Sequence, residues 1–224
     1  MVDIEANLKR YGDNHEPTLR YASFDYCYNY FQSHREEPSA LVAPENLETS
    51  CLQLNLYLAS WGMLRGSSPL LRRSSRHLVP LINVIAIDLK HLWGLDVDQY
   101  DAETIEGLCE AERLVREALS DTEAAKAALK ELGLRSVVAS NTLTTKILLG
   151  VFGCVPAFDF RFRRGLQVST FGQKSLSRIK GFYDKNAQLL DSIDHPTIDF
   201  ASGEPTSLMY PKAKLIDMVF YVEP

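Results

Sequence analysis

The sequence predicts an all-α protein of about ten helices, and three observations support that prediction. Apolar residues recur every three or four positions along most of the 224-residue chain. Runs of strict apolar–polar alternation are few, and no Asn-Gly hairpin signal occurs. The composition, 46% hydrophobic and 24% charged, is typical of a globular protein with a large core. We therefore expect one compact domain over 1–224, with an alternative boundary near residue 100.

The first half of the chain supplies the helices that we expect at the centre. Residues 21–31 place aromatic side chains three and four positions apart, as one face of a helix requires. Residues 47–64 are mostly apolar in their second half, which predicts a central buried helix that ends near Gly62 or Gly66. The leucines of this segment fall at 52, 54, 56 and 58.

Helical spacing continues through the rest of the chain. Further helices are expected at 78–91, 103–119, 122–132, 174–193 and 207–221. Asp101 is placed to cap the second of these. Residues 195–207 are the most loop-like stretch, and residues 221–224 are compatible with a short extended tail.

The net charge of −5 conceals an uneven distribution of charge. Residues 88–123 hold eleven acids against three bases. Residues 49–87 contain four arginines and no acid, and residues 160–183 contain six bases and no acid. Two basic segments without acids in an acidic chain indicate a surface for phosphate groups, although solvated faces would give the same pattern.

Cysteine and histidine usage points away from disulfides and metal sites. The four cysteines are far apart and form no Cys-x-x-Cys pair, so buried thiols in a reducing cytoplasm are expected. The five histidines show no ligand spacing, and no cofactor is implied. The N-terminus lacks the apolar core of a signal peptide, and the longest apolar run, 78–89, is too short for a bilayer. We expect a cytoplasmic protein with no membrane partner.

One segment carries a functional signal. Thr145-Lys146 opens a predicted helix, Val155-Pro156 forms a turn, and Asp159 follows that turn directly before a basic cluster. This arrangement resembles the helix-hairpin-helix DNA glycosylases, in which a turn after such a helix delivers a catalytic aspartate to a pocket.

The resemblance implies a helix-hairpin-helix-like element near 134–158, with Ser140-Asn141-Thr142 at the position of the family's hairpin. It also implies a DNA glycosylase that flips a modified or damaged base and hydrolyses its N-glycosidic bond. Some prokaryotic glycosylases that resemble this family remove hypermodified bases from phage DNA, so a role in antiviral defence is a further hypothesis.

The chemistry of base removal suggests a role for each candidate residue. Breaking an N-glycosidic bond develops positive charge on the sugar, which a carboxylate such as Asp159 stabilises. Lys146 is a candidate Schiff-base nucleophile or phosphate contact. A flipped base needs a pocket with aromatic walls. The candidates for base or DNA contacts in that pocket are Tyr26, Tyr28, Tyr30, Trp61 and Asn141.

Phosphates on either side of the flipped nucleotide must be held by cations or by helix N-termini. The candidates for phosphate contacts are Arg65, Arg161, Arg163, Arg164 and Lys174. Each site residue also has a structural interpretation. Asp159 would serve as a helix N-cap, Lys146 as a solvated helix residue and the aromatic row as core packing.

Two other functions fit the sequence. Arg72 and His77 satisfy the Arg-x4-His pattern of HEPN-type helical ribonucleases, in which both act on the scissile phosphate. A helical nucleic-acid-binding module without catalysis would use the same basic segments. The sequence leaves open the base, any strand-nicking activity, the distance between Lys146 and Asp159, and the oligomeric state.

Overall fold

The computed structural model of the protein describes residues 2–222 and confirms the all-α architecture. The helices are α1 (Ile4–Gly12), α2 (Ala22–Gln32), α3 (Pro44–Ser60), α4 (Val79–Ile87), α5 (Ala102–Leu119), α6 (Glu123–Glu131), α7 (Asn141–Phe152), α8 (Phe160–Leu166), α9 (Gln173–Asp191) and α10 (Lys212–Tyr221). Short 3₁₀ segments lie at Pro38–Val42, Pro69–Arg72, Ser75–Leu78, Lys90–Leu92 and Val97–Gln99. No helix in residues 2–222 combines the length and apolar character needed to cross a membrane.

Two helices occupy the centre of the fold. Every residue of α7 from Leu143 to Phe152 is buried, and so is every residue of α10 from Ala213 to Phe220. A helix that is buried on all sides must pack against neighbours on all sides. Accordingly, α7 contacts α2, α3 and α5, whereas α10 contacts α1, α8 and α9.

The expectation that residues 47–64 form the central buried helix is only partly met. Helix α3 does form, but Leu52 and Leu56 are 50% and 61% exposed, whereas Leu54 and Leu58 are fully buried. Residues four apart share a helix face, and residues two apart lie on nearly opposite faces. The leucine run is therefore divided between the core and the surface.

A glycine in α7 permits close packing of α3. A Cβ atom built on Gly150 would lie 2.5 Å from Cε1 of Tyr57, a side chain that is almost fully buried. We expect Gly150→Ala to lower the free energy of unfolding by about 1–3 kcal/mol, because the ring cannot move aside in a filled core. Gly181 of α9 has open space around its Cα, so Gly181→Ala is the control. It should raise stability by about 0.5–1 kcal/mol. Chemical denaturation measures the free energy of unfolding of both variants. Equal changes in Gly150→Ala and Gly181→Ala would contradict this packing.

The helix-hairpin-helix-like element expected near 134–158 is not confirmed. Residues 132–140 separate α6 from α7, and Ser140 is the N-cap of α7, with its Oγ accepting a hydrogen bond from the N–H of Leu143 at 3.2 Å. The residues expected to form the hairpin therefore begin a helix.

Residues 195–207, expected to be a loop, contain an antiparallel hairpin. Its strands are β1 (Pro196–Ile198) and β2 (Pro205–Met209), so the last helix begins at Lys212 rather than near 207. The turn uses the Asp199 carboxylate, which accepts the N–H groups of Ala201 and Ser202. This Asx-type turn has no Asn-Gly signal. In the tail expected at 221–224, Tyr221 ends α10, and residues 223–224 lie outside the described part of the chain.

Candidate active site

One open pocket gathers five of the residues singled out from the sequence. It has a volume of about 620 Å³ and lies where the end of α3, the first turns of α7, the start of α8 and the end of α10 meet. Its walls include Trp61, Arg65, Lys146, Asp159 and Arg161. The volume lies in the range usual for small-molecule sites.

Asp159 has the capping role that the sequence offered, and it also lies in the wall of the pocket. It is the N-cap of α8, with Oδ1 accepting the N–H of Phe162 at 3.0 Å, and it also lines the pocket. Burial, followed by the charge of Asp217, raises the pKa of this carboxyl above its usual value. The N–H groups at the helix start oppose that shift.

The loop that presents Asp159 is fixed by side-chain hydrogen bonds on both sides. The Oγ1 of Thr145 accepts the N–H of Phe158 at 2.8 Å, and the Oγ1 of Thr142 donates to the carbonyl of Phe158 at 2.9 Å. The N–H of Ala157 donates to Oδ1 of Asp217 at 3.0 Å. Helices α7 and α10 thus hold the backbone immediately before Asp159 in place.

Lys146 is a buried cation without a counter-ion. Lys146 is 4% exposed, and its Nζ lies 5.0 Å from the centroid of the Trp61 ring. Within residues 2–222, this ammonium group has no hydrogen-bond or ion-pair partner. Burial lowers its pKa below the usual 10.5. The charges of Lys214 and Arg20 lower this pKa further, whereas those of Asp217 and Asp159 oppose the shift.

A second buried lysine beneath the pocket is fully paired. The Nζ of Lys214 donates to Oδ2 of Asp217 and to the hydroxyl of Tyr11, both at 3.1 Å. It also lies 5.2 Å from the centroid of the Trp61 ring, the ring that Lys146 approaches. The two ammonium groups therefore share one aromatic neighbour, but only Lys146 lines the pocket. Lys214 is thus held by two partners, whereas Lys146 lies at the pocket without one among residues 2–222.

The aromatic side of the pocket is built from three parts of the chain. Trp61 stacks on Tyr21 with 5.6 Å between ring centroids, and Tyr221 meets Trp61 edge-on at 5.4 Å. The guanidinium of Arg20 lies 5.3 Å from the centroid of the Trp61 ring and donates to the Tyr221 hydroxyl at 2.7 Å. The arrangement gives an aromatic wall with a cation at its edge.

The tyrosines of α2 proposed to line the pocket lie elsewhere. Tyr28 is buried in the core, and the hydroxyl of Tyr26 donates to the carbonyl of Pro17 at 2.6 Å. The hydroxyl of Tyr30 is 2.8 Å from Oγ of Ser50. Helix α2 directs these rings into the core and toward neighbouring segments, so only Trp61 of the proposed aromatic set reaches the pocket.

The proposed polar contacts divide in the same way. Arg161 lines the pocket while donating to the carbonyl of Tyr221 at 2.9 Å. Arg163 turns back onto the carbonyl of Ser169 at 3.2 Å, and Asn141 accepts from Arg116 at 3.0 Å, so neither lines the pocket. Arg164 and Lys174 are exposed outside the pocket.

Several residues of the site were missed by sequence reasoning. They are Arg20, Tyr21, Thr142, Lys214, Asp217 and Tyr221. One signal was available for two of them, because Lys214 and Asp217 are charges three residues apart inside an otherwise apolar helix. Charges in such surroundings are rarely buried unless they are paired.

The ribonuclease pattern is not assembled into a site. Arg72 and His77 lie in separate 3₁₀ segments, and His77 is not among the residues that line the pocket of Arg72. Nε2 of His77 is buried and has no hydrogen-bond partner among residues 2–222. Burial also lowers the pKa of His77, which disfavours the charged acid that phosphate chemistry would use.

No group of three or more His, Cys, Asp or Glu residues in the described chain is arranged to hold a metal ion. Comparisons with protein-family models, with curated proteins and with solved structures found no match. The function is therefore inferred from the geometry of the pocket.

Proposed function

We propose that the protein is a DNA glycosylase that removes a modified or damaged base with Lys146 as the nucleophile and Asp159 as the stabilising carboxylate. The observation that supports this most directly is an unpaired, buried lysine beside an aspartate in an aromatic-walled pocket. Titratable groups whose pKa is shifted by burial and by neighbouring charges are concentrated at functional sites.

The proposed reaction uses each group for a distinct task. The lone pair of the neutral Lys146 amine forms a bond to C1′ of the deoxyribose as the bond from C1′ to the base breaks. The electrons of the broken bond leave with the base, which takes up a proton, and the amine loses one. Asp159 opposes the positive charge that develops on the sugar. Ring opening then gives a Schiff base, which water hydrolyses or from which the 3′ phosphate is eliminated.

The pocket also supplies groups to hold a flipped nucleotide. Trp61 and Tyr221 offer ring faces and edges for a base, for which stacking is typically worth about 1–3 kcal/mol. Arg65 and Arg161 are cations at the same pocket, placed for the phosphates on either side. We favour an enzyme over a binding module because an amine with a lowered pKa and a carboxylate line the same pocket.

Incubation with DNA tests the proposal. The substrates are plain duplexes and duplexes that carry oxidised, alkylated, deaminated or hypermodified bases of the kind found in phage DNA. We expect free base and abasic sites from at least one modified substrate, detected by mass spectrometry and by alkaline strand cleavage. Absence of both products across the whole panel would contradict the proposal.

The charge of Arg20 should set the pH dependence of the reaction. Four charged groups act on Lys146: Asp217 and Asp159 raise its pKa, whereas Lys214 and Arg20 lower it. Arg20→Gln removes a neighbouring cation, so the pKa of Lys146 should rise. The single-turnover rate should increase with pH as Lys146 loses its proton, and this increase should occur at higher pH in Arg20→Gln than in the wild type.

Arg65→Gln is the matched control for this shift. It removes a cation from the same pocket, but Arg65 is not among the charges that act on the pKa of Lys146. In Arg65→Gln, the single-turnover rate should increase over the same pH range as in the wild type, even if DNA binding weakens. Identical shifts in the two variants would show that the effect comes from DNA affinity and not from the state of the amine.

A further inference from the structure

A second pocket lies directly beside the candidate active site. It has a volume of about 210 Å³, about a third of the first, and lies between residues 66–73 and residues 133–135. Arg65 lines the active-site pocket and the next residue, Gly66, lines this one. Consecutive residues of one segment therefore line the two pockets.

The charged side chains of this second pocket are all cationic. Arg72, Arg73 and Arg135 line it together with Ser67 and Ser68, and no acid is among its lining residues. Arg72 and Arg135 are exposed, and neither has a hydrogen-bond or ion-pair partner among residues 2–222. The chain has a net charge of −5, so unpaired guanidinium groups around one small pocket indicate an anionic ligand.

Arg73 links the two chain segments that form the walls of the second pocket. Its guanidinium donates to Oδ2 of Asp121 at 2.8 Å, and the same oxygen accepts the N–H of Val137 at 2.7 Å. The Asp121 side chain is 7% exposed. This buried carboxylate therefore joins the segment that carries Arg72 to the loop that carries Arg135. The pocket is organised before any ligand binds, which lowers the entropy cost of binding.

Two of the residues that line the pocket are glycines at turns. Gly66 and Gly133 have φ angles of +58° and +67°, which favour glycine, and a Cβ atom at either position would meet nothing within 4 Å. Gly133 also ends α6, where its N–H donates to the carbonyl of Lys130 at 3.1 Å. The absence of side chains at these turns leaves room for an approaching group.

We infer that this pocket binds a phosphate group, and specifically a backbone phosphate of the DNA strand whose flipped nucleotide enters the neighbouring pocket. Guanidinium groups suit this ligand because their forked N–H donors match phosphate oxygens. Because Arg65 and Gly66 are consecutive, one DNA strand can place a base in the first pocket and a phosphate in the second. The inference rests on the proposed DNA substrate, but its test requires no catalysis.

The test is the salt dependence of DNA binding. A labelled duplex of arbitrary sequence is titrated with wild-type protein and with the Arg72→Gln/Arg135→Gln double variant between about 50 and 200 mM salt. Loss of one phosphate contact should reduce the slope of log K against log salt by about 0.9, so the double variant, which removes one phosphate site, should lose about 0.9. Arg73 is left in place because it joins the two walls.

The control variant removes the same charge from another face. Arg113→Gln/Lys126→Gln takes one cation from each of α5 and α6, where both side chains are paired with glutamates. This control should keep the wild-type slope. Equal slopes for the double variant and the control, or no DNA binding by the wild type at low salt, would overturn the inference.

Inorganic phosphate distinguishes the source of the phosphate group. If phosphate displaces DNA more strongly than chloride at equal ionic strength, and only when Arg72 and Arg135 are present, the pocket also accepts free or terminal phosphate. Equal displacement by the two salts, together with the changed slope, assigns it to the phosphodiester backbone. If the double variant changes the salt slope but the wild-type protein releases no base, the phosphate pocket is supported and the enzymatic proposal is contradicted.

Discussion

Lys146→Met should abolish covalent capture of abasic DNA while making the protein more stable. The buried ammonium lacks an ion-pair partner in the described chain, and methionine has a similar length without the charge. The charged form of a buried amine carries a desolvation cost that methionine does not, so the gain should be on the order of 1 kcal/mol. Because the pKa of Lys146 is lowered on folding, the unfolded chain binds more protons than the folded one. The gain should therefore be largest below the lowered pKa and should shrink as the pH rises toward 10.5.

Lys214→Met is the matched control for Lys146→Met. Lys214 is 1% exposed and lies near the same Trp61 ring, but it is paired with Asp217 and the Tyr11 hydroxyl. Its removal leaves a buried carboxylate without a cation, which should lower the free energy of unfolding by about 3–5 kcal/mol. Opposite signs for the two variants in chemical denaturation would support the assignment. Comparable destabilisation would mean that Lys146 is a structural residue.

Asp159→Asn should separate the capping role of this residue from its charge. Asparagine is as good an N-cap as aspartate, so the start of α8 should be preserved and the free energy of unfolding should change by less than about 1 kcal/mol. The carboxylate that faces the developing sugar cation is nevertheless lost. We expect base release to slow by about 100- to 1,000-fold in single-turnover experiments, with DNA affinity unchanged.

Asp159→Ala provides the comparison, because it removes the charge and the cap together. Its stability should fall by about 0.5–2 kcal/mol, while its rate should match that of Asp159→Asn. Base release by Asp159→Asn at the wild-type rate would show that Asp159 serves only as the N-cap. The structure shows that it does cap α8, through the hydrogen bond from the N–H of Phe162.

The fold class was predictable because helical periodicity is a local property. Asp101 caps α5 as expected, and α2, α6 and α9 lie close to their predicted ranges. The hairpin at 196–209 was missed because the Asp199 turn and the anchoring of Ile198 by Asp25 give no short-range signal. The burial of α3 was overestimated because an apolar run does not reveal which neighbours its faces will meet.

The site was predictable only where its residues are close in sequence. Lys146 and Asp159 are joined by one helix and one turn, and the structure places both in the same pocket. Tyr221 and Arg20 lie far apart in the chain, and they meet beside Trp61 because of packing between distant elements. The pocket therefore depends on tertiary contacts that one sequence does not display.

Mass spectrometry of a reduced protein–DNA adduct tests the central claim most directly. Borohydride is added to the protein with an abasic oligonucleotide, so that an imine formed from the amine and the C1′ aldehyde, with loss of water, is reduced to a stable secondary amine. After proteolysis, we predict a single modified peptide with the adduct on Nζ of Lys146. An adduct on any other lysine, or none under conditions in which the protein releases a base, would contradict Lys146 as the nucleophile.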